Sequence, residues 1–190
     1  MIDPTIVPFF GKAPRIHSSA FVAPGACIIG DVEIGPDASI WYNCVLRGDI
    51  NRIVVGARSN LQDGTIVHVE AGDHGHEGSP VIIGEDVLVG HMAILHGCTL
   101  EDRAFVGMGA IVMDDCRIGA EAMLAAGAML TSIREVPPAE LWAGRPARFV
   151  RGLTDEQVSA MLAQSLHYVE NAHRHREALH ESLLLKNTAA

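Results

Sequence analysis

The sequence predicts a mainly β protein, a parallel β-helix with three six-residue faces per coil, closed by one long C-terminal α-helix. Two observations predict the solenoid and a third predicts the helix. Ile82, Leu88, Ile94, Leu100, Val106, Val112, Ile118, Leu124 and Leu130 fall every sixth residue, a run that chance would give roughly a few times in a million. Four residues after each from Leu88 to Leu124 comes a small side chain, Cys98, Ala104, Ala110, Cys116, Ala122 and Ala128, with Met92 the large exception. Alternating large and small residues at a fixed phase suit a narrow solenoid whose coils lie about 4.8 Å apart. Beyond Thr154 the beat changes, and Val158, Leu162, Leu166, Val169 and Ala172 recur at helical spacing.

Taken in order, residues 1–14 are Pro-rich and read as an irregular arm laid over the first coil. The solenoid is expected over residues 15–135, because Ile16, Val22, Ile28, Ile34, Ile40 and Leu46 already keep the six-residue frame, with Ala20, Ala26, Val32, Ala38 and Cys44 at the small phase. The interval from Leu46 to Ile66 carries about two residues more than a coil needs. Between Ile66 and Ile82 the excess is the polar, Gly-rich run 69–80, VEAGDHGHEGSP, expected to protrude as a loop. After Leu130 the frame ends, and residues 136–153 read as an irregular return. Thr154, Asp155, Glu156 and Gln157 form a capping box opening a helix over 154–186, which should pack along the solenoid or on a neighbouring chain.

The 190 residues, 48% of them hydrophobic, suffice for one domain and an appendage. A formal net charge of −9 argues against nucleic acid or an anionic membrane as partner. No window approaches the apolar length of a membrane span, and the N-terminal MIDPTIVPFF lacks the pattern of a signal peptide, so a cytoplasmic protein is expected. Cys44, Cys98 and Cys116 occupy the small-residue phase, which assigns them to packing and not to redox or metal chemistry.

Of the ten histidines, His173, His175 and His180 read as a solvated helix face, His74 and His76 as loop residues, and His17 as isolated. His68 and His96 differ: each lies two residues past a repeat aliphatic, Ile66 and Ile94. With the loop excised, those aliphatics are one coil apart, so the two imidazoles should stack and could share an ion. His91 emerges one face earlier, from another corner, and completes such a site only if a second chain brings its copy alongside; a three-fold ring fits. Three neutral imidazoles with an open fourth position make a catalytic zinc arrangement, with water acidified toward a pKa of about 7. The bland alternative is a set of exposed turn histidines. Arg47 and Asp49 share the corner of the stacked pair and read as a buried ion pair that fixes a ligand imidazole and holds a neighbouring subunit. On the preceding face, in the segment 59–63, the amides of Asn60 and Gln62 suit the orienting of a hydroxide or the receiving of substrate oxygens, whereas another carboxylate there would repel an anionic product.

The segments LRGD (46–49), SNLQDGTIVH (59–68), VGHMAILHGC (89–98) and VGMGA (106–110) resemble the γ-class carbonic anhydrase family of the hexapeptide-repeat superfamily, over roughly residues 10–170. The resemblance implies a left-handed parallel β-helix, an exception to the right-handed crossover rule, and a homotrimer with three interfacial metal sites hydrating CO2 to bicarbonate. It implies His68 and His96 from one subunit and His91 from the next as ligands, to zinc or alternatively iron or cobalt. Gln62 would hydrogen-bond the metal-bound hydroxide, Asn60 would line the CO2 site, Arg47, Asp49 and Asp63 would support interface and ligands, and Tyr168 would reach in from the helix. One departure matters: Ile50 stands where active members carry a Glu after the Asp, and the loop is short, which leaves Glu70, His74, His76 or Glu77 to move the proton. Two rival readings are an acyl-CoA acyltransferase or thioesterase, hinted at by Gly144-Arg145-Pro146-Ala147, and a non-catalytic metal-binding trimeric scaffold.

Overall fold

A computed structural model describes residues 3–72 and 77–188. The chain is a parallel β-solenoid of about seven coils followed by one helix, α1 (Asp155–Thr188). Three columns of inward side chains make its core. Ile34, Val55, Ile83, Leu100, Ile118 and Val136 stack on the first face. Ile40, Leu61, Val89, Val106 and Leu124 stack on the second, and Ile28, Leu46, Val67, Leu95, Val112 and Leu130 on the third. All are at most 1% exposed. Between them the small residues Ala26, Ala38, Cys44, Ala93, Cys98, Ala104, Ala110, Cys116, Ala122 and Ala128 fill the corners.

The six-residue beat is real, but its frame slips. The inward column runs Ile83, Val89, Leu95 and then Leu100, because the corner through Gly97 and Cys98 is one residue short. Ile66, Ile82, Leu88 and Ile94 are therefore outward neighbours of the core residues; Ile66 and Ile94 are 45% and 39% exposed. An unbroken frame could be drawn through them only because both the inward and the outward positions are aliphatic. The slip also removes the anomaly at Met92: the buried small residue is Ala93, and Met92 sits 67% exposed at a corner position with φ of 60°. Corners are tight enough that a Cβ on Gly56 would approach the Gly84 carbonyl oxygen to 2.3 Å.

The ends differ from the expected arm and return. Thr5–Val7 is a strand paired in parallel with Cys27–Ile29, so the arm extends the third face. Past Leu130 the coil continues, with Val136 stacked on Ile118 and Trp142 on Leu124, before Arg148–Gly152 turns back antiparallel on Glu140–Ala143. Gly144–Ala147 serves this closure: Ala147 is buried, and the Arg145 guanidinium donates to the Gly127 and Gly109 carbonyls at 2.5 and 3.3 Å. The Leu46–Ile66 coil gains three residues, not two, as a bulge opposite Gly30–Val32.

The capping box forms as expected, with Thr154 N–H donating to Gln157 Oε1 at 3.1 Å and Gln157 N–H donating to Thr154 Oγ1 at 3.3 Å. Helix α1 lies along the second face, against the strands Phe21–Val22, Ser39–Ile40, Asn60–Leu61 and Leu88–Val89. Its buried stripe is Met161, Ser165 and Ala172 with Tyr168 and Leu179 at the edges; Leu166, expected in the stripe, is 48% exposed. Ser165 takes that inner place because its hydroxyl donates to the Arg58 carbonyl at 3.2 Å. Nor is His175 simply solvated: its ring lies 4.9 Å from Trp41 and its Nδ1 is 2.9 Å from the Tyr42 hydroxyl.

All four cysteines are unpaired. Burial pushes the Cys44 thiol up to about 12 and raises those of Cys98 and Cys116, which makes them packing residues. Iodoacetamide at about pH 8 is therefore expected to add to the partly exposed Cys27 in the folded protein and to Cys44, Cys98 and Cys116 only after denaturation, read by peptide mass spectrometry. The frame slip makes its own prediction. Ile83→Ala should cost ~2–5 kcal/mol in urea unfolding, and Ile82→Ala about 1 kcal/mol; equal costs would restore the unshifted frame.

Candidate metal centre

The ladder that pairs Ile66–His68 with Ile94–His96 sets His68 opposite His96, and the preceding coil sets Arg47 opposite His68. Since Val67 and Leu95 point inward, the strand pleat turns both histidines outward. Their ring centroids are 5.0 Å apart, with His68 Nδ1 3.0 Å from His96 Nε2. The bulge after Gly48 swings Asp49 over the pair, so that Asp49 Oδ1 lies 3.1 Å from His68 Nε2 while Arg47 donates to Asp49 Oδ2 at 2.6 Å. On the single chain the Asp49 and Arg47 side chains are 15% and 45% exposed. Burial favours a neutral Asp49, but hydrogen bonds from Arg47 and then His68 prevail and hold its carboxyl below the usual range. Burial lowers His68 against the pull of Asp49, which favours a neutral imidazole.

On the other side of His96, Nδ1 hydrogen-bonds the Asp114 carboxylate. Asp114 belongs to the next coil, 18 residues after His96 and so one residue past the register that pairs Leu95 with Val112, and the sequence pattern does not mark it. If the carboxylates accept from His68 Nε2 and His96 Nδ1, the remaining nitrogens, His68 Nδ1 and His96 Nε2, face each other as two lone pairs. Two lone pairs at that separation repel unless a cation lies against both. The donor set therefore fits a divalent ion bound through imidazole nitrogen.

A second group stands across the third face. Asn60 and Gln62 are 0% and 4% exposed, and Gln62 Nε2 donates to Asn60 Oδ1 at 3.2 Å. Asn60 Nδ2 is buried without a partner among the described residues. Asp63 Oδ2 lies 2.8 Å from His91 Nδ1, leaving His91 Nε2 outward on a half-exposed ring. Gln62, His91, Phe105, Met108, His167 and Tyr168 line a mostly apolar groove of about 710 Å³. Burial, and then the charge of Asp63, raises the Tyr168 phenol, which keeps it protonated. His167, on the groove rim, carried no signal in the sequence beyond its place beside Tyr168.

The structure thus brings together Arg47, Asp49, His68 and His96, and separately Asn60, Gln62, Asp63, His91 and Tyr168. Among the described residues of one chain, no group of three His, Cys, Asp or Glu is arranged to hold a metal ion. Between the groups runs an outward aliphatic strip in which Val45, Ile66, Ile94, Ile111 and Met129 stack in register. Glu70 and Glu77 flank the loop root, while His74 and His76 lie outside the described residues.

Residues 13–48 match the family described as "Bacterial transferase hexapeptide (six repeats)", and residues 80–113 match "Hexapeptide repeat of succinyl-transferase". The chain is 46% identical over 171 residues to gamma carbonic anhydrase 1, mitochondrial, of Arabidopsis thaliana, covering 90% of this chain but 62% of that relative's length. It is 40% identical to a carbonic anhydrase of Geobacillus kaustophilus, covering 87% of each. A hexapeptide transferase family protein from Anaplasma phagocytophilum superposes with a TM-score of 0.82 at 45% identity, over 89% of this chain and 96% of that one. Repeat, parallel solenoid and extent of identity agree, and the chain belongs to the γ-class carbonic anhydrase family.

Proposed function

We propose that this protein is a metal-dependent carbonic anhydrase that interconverts CO2 and bicarbonate at sites shared between the subunits of a homotrimer. The facing nitrogens of His68 and His96 carry the reading, since each ring's other nitrogen is held by a carboxylate. His91 of an adjacent subunit supplies the third imidazole, which explains why one chain holds only part of the site. The aliphatic strip between the two groups gives such an assembly an apolar contact, with Ile66 and Ile94 exposed on the single chain. Zinc is the metal proposed, with iron or cobalt accepted by the same donors. When bound, the ion supplies the acidification of water that hydration needs at neutral pH.

The chain's own residues then have separate tasks. Asp49 and Asp114 hold His68 and His96 in their ligand tautomers, and Asp63 does the same for His91. Arg47 keeps Asp49 ionised. Gln62 and the unpartnered Nδ2 of Asn60 offer hydrogen bonds to a hydroxide or to substrate oxygens, and Tyr168 bounds the groove from α1. Phe105, Met108 and Leu141 give the groove an apolar wall suited to CO2 and hostile to bulk water. The exposed Ile50 after Asp49 offers no proton acceptor, so proton removal falls to the loop groups Glu70, His74, His76 or Glu77, or to buffer. Unpaired cysteines agree with a cytoplasmic location, and no described helix is long and apolar enough to cross a membrane.

Stopped-flow CO2 hydration on zinc-reconstituted protein tests the reading: activity in the parent and at least about a hundredfold loss in His91→Ala are expected. A fully metallated parent without activity overturns it and leaves the scaffold. Co-expression provides a test of sharing. His91→Ala and His68→Ala are each inactive alone, but random mixed trimers should regain about a quarter of parental activity, because one neighbour in each productive pair keeps His68 and the other His91. No recovery would place all ligands within one chain.

A further inference from the structure

Asp114 lies at the corner that follows the strand Ile111–Val112, one coil beyond His96. Its approach to the His96 ring is built into the backbone. Asp115, at φ of 56°, donates its N–H to the Gly97 carbonyl at 2.8 Å, and Ile133 N–H donates to the Asp114 carbonyl at 3.0 Å, so the corner is tied on both sides. Gly97, at φ of 48°, leaves room for the carboxylate: a Cβ there would stand 2.7 Å from Asp114 Oδ1. The side chain is 24% exposed, and its hydrogen bond goes to His96 Nδ1.

The consequence lies on the far side of the ring. A neutral imidazole left to itself favours the Nε2–H tautomer. In that form His96 Nε2 would donate to His68 Nδ1, 3.0 Å away, and the two histidines would satisfy one another with the metal position closed. A carboxylate at Nδ1 reverses the preference and leaves Nε2 bare. We infer that Asp114 is the positioning residue that fixes His96 as its Nδ1–H tautomer, keeping the His68–His96 pair from closing on itself and open to a divalent cation. The metal part of this inference rests on the function proposed above; the tautomer part stands alone.

Both parts can be read separately. In the 15N-labelled, metal-free protein at about pH 8, where free imidazole is neutral, long-range 1H–15N spectra should show His96 protonated at Nδ1, and Asp114→Ala should move the proton to Nε2. Zinc affinity, measured by competition with a chromophoric chelator, should weaken in Asp114→Ala by about 10- to 100-fold with assembly retained. Asp115→Asn changes net charge equally one residue away, keeps an acceptor for Ser79, and should leave tautomer and affinity at parental values. Should Asp114→Ala fail to assemble, Asp114→Asn, whose amide oxygen is a weaker acceptor, is expected to lose several-fold in affinity. An Nε2–H His96 in the parent, a tautomer unmoved in Asp114→Ala and Asp114→Asn, or an equal loss in Asp115→Asn overturns the inference. A tautomer that responds as expected in a protein with no zinc affinity supports the Asp114 assignment and overturns the metal reading instead.

Discussion

Parallel pairing of Ile66–His68 with Ile94–His96 is the constraint on which the site depends. Backbone hydrogen bonds continue at both ends of the pair, from Ile66 N–H to Ala93 and from Gly97 N–H to His68, at 2.9 and 3.0 Å. Val67 and Leu95 are locked in the dry column behind. The histidines can therefore neither slip in register nor rotate to the other face without moving the core. Separation is set by the coil rise, so the distance between the imidazoles is a property of the sheet, and the aspartates have only to choose which nitrogen each ring presents.

That choice has an electrostatic side. Each of the three candidate ligands has its own carboxylate, Asp49 for His68, Asp114 for His96 and Asp63 for His91. The pairs favour an imidazole whose remaining nitrogen is a strong donor to a cation, and together they place negative charge where a divalent ion can offset it. Arg47 tempers the group by tying Asp49. Nonpolar surface in the groove near His91, from Phe105 and Met108, belongs to the other half of the site, so charge handling and the apolar wall come from different corners.

Much of this was legible in the sequence, for a reason that also explains the errors. The six-residue beat survives an offset of one residue, so it places His68 opposite His96 even though it puts Ile66 and Ile94 in the core where the structure has Val67 and Leu95. The aliphatic strip that hides the offset is itself a surface feature. Asp114 is not legible in the sequence because its role depends on the conformation at Gly97 and Asp115, which periodicity does not encode. The places of His175 and Ser165 are not legible in the sequence because their partners, Trp41, Tyr42 and Arg58, lie far away in the chain and come close only when α1 returns along the second face.

The root of the 69–80 insertion has a consequence for how such a protein can vary. Glu70 N–H donates to the Ser79 carbonyl at 2.9 Å, Asn51 Nδ2 to the Glu70 carbonyl at 3.3 Å, and the Ser79 hydroxyl to Asp115, so the two ends of the excursion are sewn together at the solenoid wall. Val69 and Val81, on either side, are both fully buried. The coils above and below are therefore insulated from whatever lies between the stitches, and closing a longer or shorter excursion costs only a slowly growing entropy. Evolution or a protein engineer can exchange that segment as a cassette beside His68, altering what reaches the histidine pair while the ladder that spaces it stays as it is.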